Sequence, residues 1–424
     1  MMRGITTPVL LLGVITIASM LGDIVNIVED GLIPFSLFQI TYLGAIGVFI
    51  MRWFAGGLGD FRKTGFELEY ALFFGLIFLS LLWTPDAERG FMHALRVLVL
   101  SGILYLFVNW LRQPREAVWI LGTLAVISVF LGALAIYSTI NNPQAIIQDV
   151  LTDGTRNASR ARIGQHDPNV FASMFFLPMA FTAAVVFSKV NLVLRGAGAV
   201  ALVVMFVAVL VTFSRSSWVS AIAMLVVLAL LYRQYRLFTG GIIAAILLIA
   251  AIPEFRFIFM NILNRFISLF TDGLDTSNTI RVMLADASVS MFFDSWLLGV
   301  GWRGFPDALL SYYNLQQTHG VFEPHNVTYL VYAELGLIGL LLFGFIVYKI
   351  AYIAWQNFRM ADTVELKIVT SATGVTFLAY SIFYQFLGSG FLDNQLWITT
   401  GIILAMHIYL RMPERTANRH GAPG

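Results

Sequence analysis

The chain has 424 residues, 58% of them hydrophobic and 12% charged, with a mean hydropathy of +0.81. That leaves too little polar surface to clothe a soluble protein of this length, so the class is a polytopic membrane protein. The absence of cysteine excludes disulfides and thiolate metal sites, and the net charge of +2 carries no message except through its distribution.

Taken in order, apolar runs of helical-span length lie at Pro8–Val28, Ile33–Met51, Glu67–Trp83, Phe91–Trp110, Ala117–Ser138 and Asn169–Ser188. Six more follow at Val193–Phe213, Ser216–Tyr232, Leu237–Ile252, Val327–Trp355, Lys367–Leu387 and Asn394–Leu410. The expected fold is therefore all-α, with about twelve transmembrane helices. Arg3 ahead of an apolar run imitates a secretion signal, but no small-residue cleavage site follows Ala18-Ser19-Met20, and the run reads as the first span. Three regions follow: spans one to nine over 1–252, an external loop over 253–325, and spans ten to twelve with a cytoplasmic tail over 326–424.

With the N-terminus in the cytoplasm, sixteen of the 26 basic residues fall inside, every Lys among them, and both termini are expected there. The ten left at the outer face are all Arg: Arg89, Arg96, Arg156, Arg160, Arg162, Arg215, Arg256, Arg265, Arg281 and Arg303. Orientation alone would have removed these charges. A planar fork that grips phosphate bidentately accounts for them better, with snorkelling at the interface as the plain alternative for any one.

Two external segments are long enough to carry function. Thr139 to Pro168 holds Arg156, Arg160 and Arg162 and closes on His166-Asp167-Pro168-Asn169, where Asp before Pro also reads simply as a helix cap. Pro253 to His325 is the larger. Phe255–Phe270 reads as a helix lying in the interface, and Thr271–Asn278 as a turn leading into a second helix from about Thr279, with Arg281 in its first turns. Gly299-Val-Gly-Trp-Arg-Gly304 matches the dinucleotide pattern in letters only, since no strand precedes it; a tight turn beside Arg303 is the better reading. Trp302, Tyr312 and Tyr313 suit either sugar stacking or an aromatic belt.

Glu323-Pro324-His325-Asn326 is the most informative stretch. It sets an imidazole at the membrane rim, where a hydroxyl acceptor and a lipid-borne donor would meet and where a neutral His can take a proton near pH 7. A helix-flanking His that faces water is the plain alternative. Glu334 falls deeper in the following span and reads as a buried partner for a polar group such as Arg96, while Gly336 and Gly339 read as close-packing positions.

Phe213-Ser-Arg-Ser-Ser-Trp218, Asn278-Thr-Ile-Arg281, Leu298-Gly-Val-Gly301 and Pro324-His-Asn326 followed by Ala333-Glu-Leu-Gly-Leu-Ile-Gly339 together resemble the O-antigen ligase and polymerase superfamily; Asp167-Pro-Asn169 is similar to one branch of it. The resemblance runs from about Arg162 to Phe343. It implies a GT-C-like membrane glycosyltransferase that moves a glycan from undecaprenyl diphosphate to a sugar hydroxyl on lipid A core, at the outer face of the bacterial plasma membrane. Carried over, His325 becomes the general base, and Arg215 and Arg281 hold the donor diphosphate. Arg303, Arg156, Arg160 and Arg162 stand behind them, and Asn326, Glu323, Glu334, Asp167 and Asn169 support the site. A diphosphate paired with Arg leaves readily, so no metal and no cofactor is expected, and direct displacement inverts the anomeric carbon. The expected partners are the lipid-linked donor, a glycolipid or saccharide acceptor and the bilayer, with no nucleic acid. A polymerase of the same superfamily needs the same base and clamp. A flippase or transporter of lipid-linked sugars would place charge at the midplane and show paired halves, which this sequence does not.

Overall fold

A computed structural model describes residues 6–21, 36–57, 61–141, 167–251, 276–313, 323–388 and 390–412, with single positions 256, 260 and 263. In its described residues, each of the twelve apolar runs is largely helical. The first half comprises α1 (Thr7–Leu21), α2 (Leu37–Phe54), α3 (Glu67–Ser80), α4 (Ala87–Trp110), α5 (Pro114–Asn141), α6 (Pro168–Ser173) and α7 (Phe176–Phe187). The second comprises α8 (Leu192–Val211), α9 (Arg215–Tyr232), α10 (Tyr235–Ala251), α11 (Thr276–Asp294), α12 (Phe305–Tyr312), α13 (Val327–Met360), α14 (Val364–Phe383) and α15 (Asn394–Leu410).

Among the described residues, eight units are long and apolar enough to cross a membrane: α2, α4, α5, the broken pair α6 and α7, α8, α9, α13 and α14. The other four apolar runs form helices of 14 to 17 residues. The protein is an all-α polytopic membrane protein. Helix α7 is the most enveloped, enclosed by α5, α8, α9 and α14, while α15 lies along α4 and α13 runs between α3, α14 and α15. Small polar residues face these interfaces at little cost because their hydroxyls bond within the helix: Thr370, Thr373 and Thr376 of α14 each donate to the carbonyl four residues back.

Two features depart from the sequence reading. The sixth span breaks at Met174 and Phe175, so that α6 is a short piece capped by Asp167, whose carboxylate accepts from the Asn169 and Val170 amides. Helix α11 starts at Thr276 rather than near Thr279, because Thr276, Ser277 and Asn278 enter its first turn, where such residues are well tolerated. The interfacial helix expected over 255–270 lies outside the described residues apart from the single positions named above.

Helices α11 and α12 form a satellite layer on the first half of α13, held by Leu284, Ala287, Met291, Phe305, Leu309, Leu330 and Ala333. The segment between α11 and α12 threads a kink in α13. Gly336 stands at φ 62°, ψ −160°, a conformation that only glycine adopts readily. There the chain pairs almost as a sheet: Val300 and Gly301 amides donate to the Ala333 and Glu334 carbonyls, and the Leu337 amide donates to Trp296. A Cβ on Gly336 would come within 2.4 Å of Leu297 backbone, and one on Gly299 within 2.4 Å of Glu334 backbone.

Candidate functional site

The glycine-rich segment does structural work. Trp302, 1% exposed, packs against the rings of His93 and Phe391, so it is neither a stacking platform nor part of an interface belt. The Trp302 amide donates to Ser80 Oγ, Thr84 Oγ1 donates to the Trp302 carbonyl, and Trp83 Nε1 donates to the Gly299 carbonyl. Glu334 is fully buried. One of its oxygens accepts from the Phe305 amide at the start of α12, so the carboxylate serves this turn and not Arg96. The turn leaves Arg303 at φ 62° with its guanidinium on the carboxylate of Glu323. Tyr312 and Tyr313 donate to Asp294 and Asp286 of α11, and Arg89 is engaged by Asp86 and Asp307.

The rim segment 323–326 is fixed at both ends. Arg303 holds Glu323. Asn326 caps α13 by accepting from the Tyr329 amide at 3.0 Å, and its Nδ2 donates to the Gln385 carbonyl at 3.0 Å. The Val327 amide donates to the Tyr384 carbonyl, and Thr328 donates to the Gln385 side chain. His325 is thus held between two elements whose backbones are already committed.

It lines a cavity of about 180 Å³. Helix α11 contributes Arg281 and Ala285, the rim gives Pro324, His325 and Asn326, α13 gives Tyr329, and the end of α14 gives Gln385 and Phe386. His325 reaches the surface, yet the elements crowding it remove part of its hydration. That desolvation, with the Arg281 guanidinium second, holds its pKa below the ordinary value, while Asp167 pulls the other way. The imidazole is therefore neutral near pH 7 and able to accept a proton, beside a cation able to bind an anion.

Three calls made from the sequence converge here: His325, Arg281 and, through its charge, Asp167. Asn326 lines the cavity as well. Arg215 is the first residue of α9, set by a sharp turn in which Phe213 adopts φ 53° and Ser214 caps the helix; it does not line this cavity. Asn169 sits in the first turn of α6. Arg156, Arg160 and Arg162 lie outside the described residues. Tyr329 and Gln385 were missed by the sequence reading. Tyr329 stands one helical turn beyond His325, a signal that spacing offers, whereas Gln385 arrives from a distant span and leaves no local trace.

No curated protein matches this chain. Residues 200–344 match the family model described as O-antigen ligase, a stretch holding Arg215, Arg281, Arg303, Glu323, His325, Asn326 and Glu334. The match runs from the middle of α8 to the middle of α13 and supports the resemblance of this chain to the O-antigen ligase and polymerase superfamily.

Proposed function

We propose that this protein transfers a glycan from undecaprenyl diphosphate to a sugar hydroxyl of lipid A core at the outer face of the bacterial plasma membrane, with both termini in the cytoplasm. The observation that carries the reading is the convergence of a partly desolvated, neutral His325 with the Arg281 guanidinium in one cavity at one pole of the helix bundle. The acceptor O–H gives its proton to His325 as its oxygen attacks the anomeric carbon. The bond from that carbon to the diphosphate oxygen breaks, and undecaprenyl diphosphate leaves with the electron pair. Arg281 and Arg215 neutralise the charge gathering on it, so the step runs without a metal and inverts the carbon. Asp167 tempers the field of Arg281 at the imidazole, and Asn326 and Glu323 fix the rim.

The test is purified protein in nanodiscs given an undecaprenyl diphosphate-linked glycan and rough lipopolysaccharide. Glycan appearing on the lipopolysaccharide, and lost on Arg281→Lys, is the expected result. Growth of a second lipid-linked glycan with none on the lipopolysaccharide would replace the ligase by the polymerase. Release of intact donor to the opposite leaflet without transfer would replace the enzyme by a transporter.

A further inference from the structure

On the far side of the rim lies a larger cavity of about 320 Å³, between the ends of α1, α6 and α14 and the start of α15. It differs in chemistry from the cavity of His325. Its walls carry Glu323, Asp393, Gln395, Tyr384, Ser19 and Gly388, and among the described residues no Arg or Lys lines it.

Gln395 is 2% exposed. Ser19 donates to the Thr16 carbonyl, so it can only accept from Gln395 Nε2, at 2.7 Å, and this fixes which end of the amide is which. The Gln395 carbonyl oxygen is then buried and finds no hydrogen-bond donor among the described residues. An acceptor left in that condition costs about 1–3 kcal/mol unless something arrives to donate to it. The neighbouring carboxylates do not call for a cation. Asp393 already accepts from Tyr384 and from the Leu396 amide, and Glu323 is paired with Arg303. An anion is equally unsuited, because the lining is acidic and amide-bearing. What fits is an uncharged ligand dense in O–H donors.

We propose that this cavity is a sugar subsite, in which the buried Gln395 carbonyl and the Asp393 and Glu323 carboxylates accept hydroxyl groups of a neutral sugar. Resting on the transferase reading above, this gives the two cavities a division of labour. They share the rim: Glu323 stands two residues from His325, and Tyr384 is next to Gln385, so a sugar seated here adjoins the reacting bond. The sugar comes either from the glycan of the donor or from the acceptor.

The absence of native cysteine gives a direct test. A single thiol is placed by Asn394→Cys, at the mouth of the cavity, and its rate of maleimide labelling is followed in nanodiscs. The probes are bare undecaprenyl diphosphate, undecaprenyl diphosphate bearing a neutral trisaccharide, and rough lipopolysaccharide, with binding of each measured separately. At ten times its dissociation constant, the trisaccharide lipid or the lipopolysaccharide slows labelling by about tenfold, and bare undecaprenyl diphosphate does not. Whichever of the two protects names the source of the sugar. Gln395→Met keeps the shape and removes the acceptor, and should weaken the protecting ligand by about five- to tenfold while bare undecaprenyl diphosphate binds within about twofold of wild type. Sugar-bearing lipids that bind without protecting, or equal protection by the bare lipid, would overturn the subsite and leave the transferase reading intact. Failure of every probe to bind would overturn both.

Discussion

Replacing Arg303 by Met separates two roles that this side chain could have in transfer. Its guanidinium is held by Glu323, and the two side chains are 15% and 22% exposed. A fully buried pair costs about 3–5 kcal/mol when one partner is lost and an exposed pair under about 1 kcal/mol, so a pair at this depth should cost roughly 1–3 kcal/mol. Glu323 is then loosened two residues from His325, and a base displaced by about 1 Å loses on the order of 10²-fold in rate. We therefore expect Arg303→Met to lower kcat by roughly 10–100-fold while undecaprenyl diphosphate binds within about twofold of wild type. Arg303→Lys keeps the charge on Glu323 and should recover much of the rate. The assays are steady-state transfer in nanodiscs and equilibrium binding of the bare lipid on the same samples. A drop of about 10–100-fold in binding, with kcat preserved at saturation, would show that Arg303 touches the diphosphate and would refute the positioning argument.

Other outcomes follow from the same geometry. Gly336→Ala forces a Cβ to within 2.4 Å of Leu297 backbone at φ 62° and should destabilise the protein by about 2–5 kcal/mol, seen as thermal inactivation at lower temperature; an unchanged midpoint would mean the kink relaxes freely. Arg281→Gln removes a charge that lowers the His325 pKa, so the acidic limb of the pH–rate profile should move to higher pH, and Asp167→Asn should move it to lower pH while keeping the α6 cap; shifts in the opposite sense would dissociate His325 from the profile. Arg215→Lys and Arg281→Lys should each impair transfer well beyond any change in stability, and near-native turnover in both would reduce them to interfacial anchors. A reporter active only outside the membrane should work when fused near Ser311 and one active only in cytoplasm near Arg236, the reverse result removing the basis for an external site.

Much of this fold is legible in the sequence because its signals are local. Length and apolarity mark the helices of the twelve apolar runs, and Asp167 before Pro168 marks the start of α6. The rim was legible too: Asn326 is a cap by type and position, and His325 stands out by being polar beside a long apolar run. What escaped depends on contacts between distant segments. Gly299, Gly301 and Gly336 announce unusual backbone but not that two of them meet each other's strands of chain. Trp302 looks amphipathic, yet Ser80, Thr84 and His93, more than 200 residues away, decide that it is buried. Arg303 reads as an anion ligand in isolation, and only the folded loop brings it to Glu323. Gln395 is one polar residue opening an apolar helix, and nothing near it in sequence reveals that its carbonyl is buried with no donor among the described residues.

The central claim is that His325 takes the proton while Arg residues hold the donor. It is tested most directly by measuring transfer across about pH 5 to 8 for wild type and His325→Ala, with donor binding followed in the same preparations. Because partial desolvation and Arg281 hold the imidazole pKa below its ordinary value, wild-type rate should rise with pH, with its midpoint on the acid side of an ordinary imidazole. His325→Ala should bind donor normally, lose roughly 10²–10⁴-fold in transfer and lose that pH dependence. A His325→Ala protein that transfers at near-native rate with the wild-type profile would contradict the account and turn attention to Glu323.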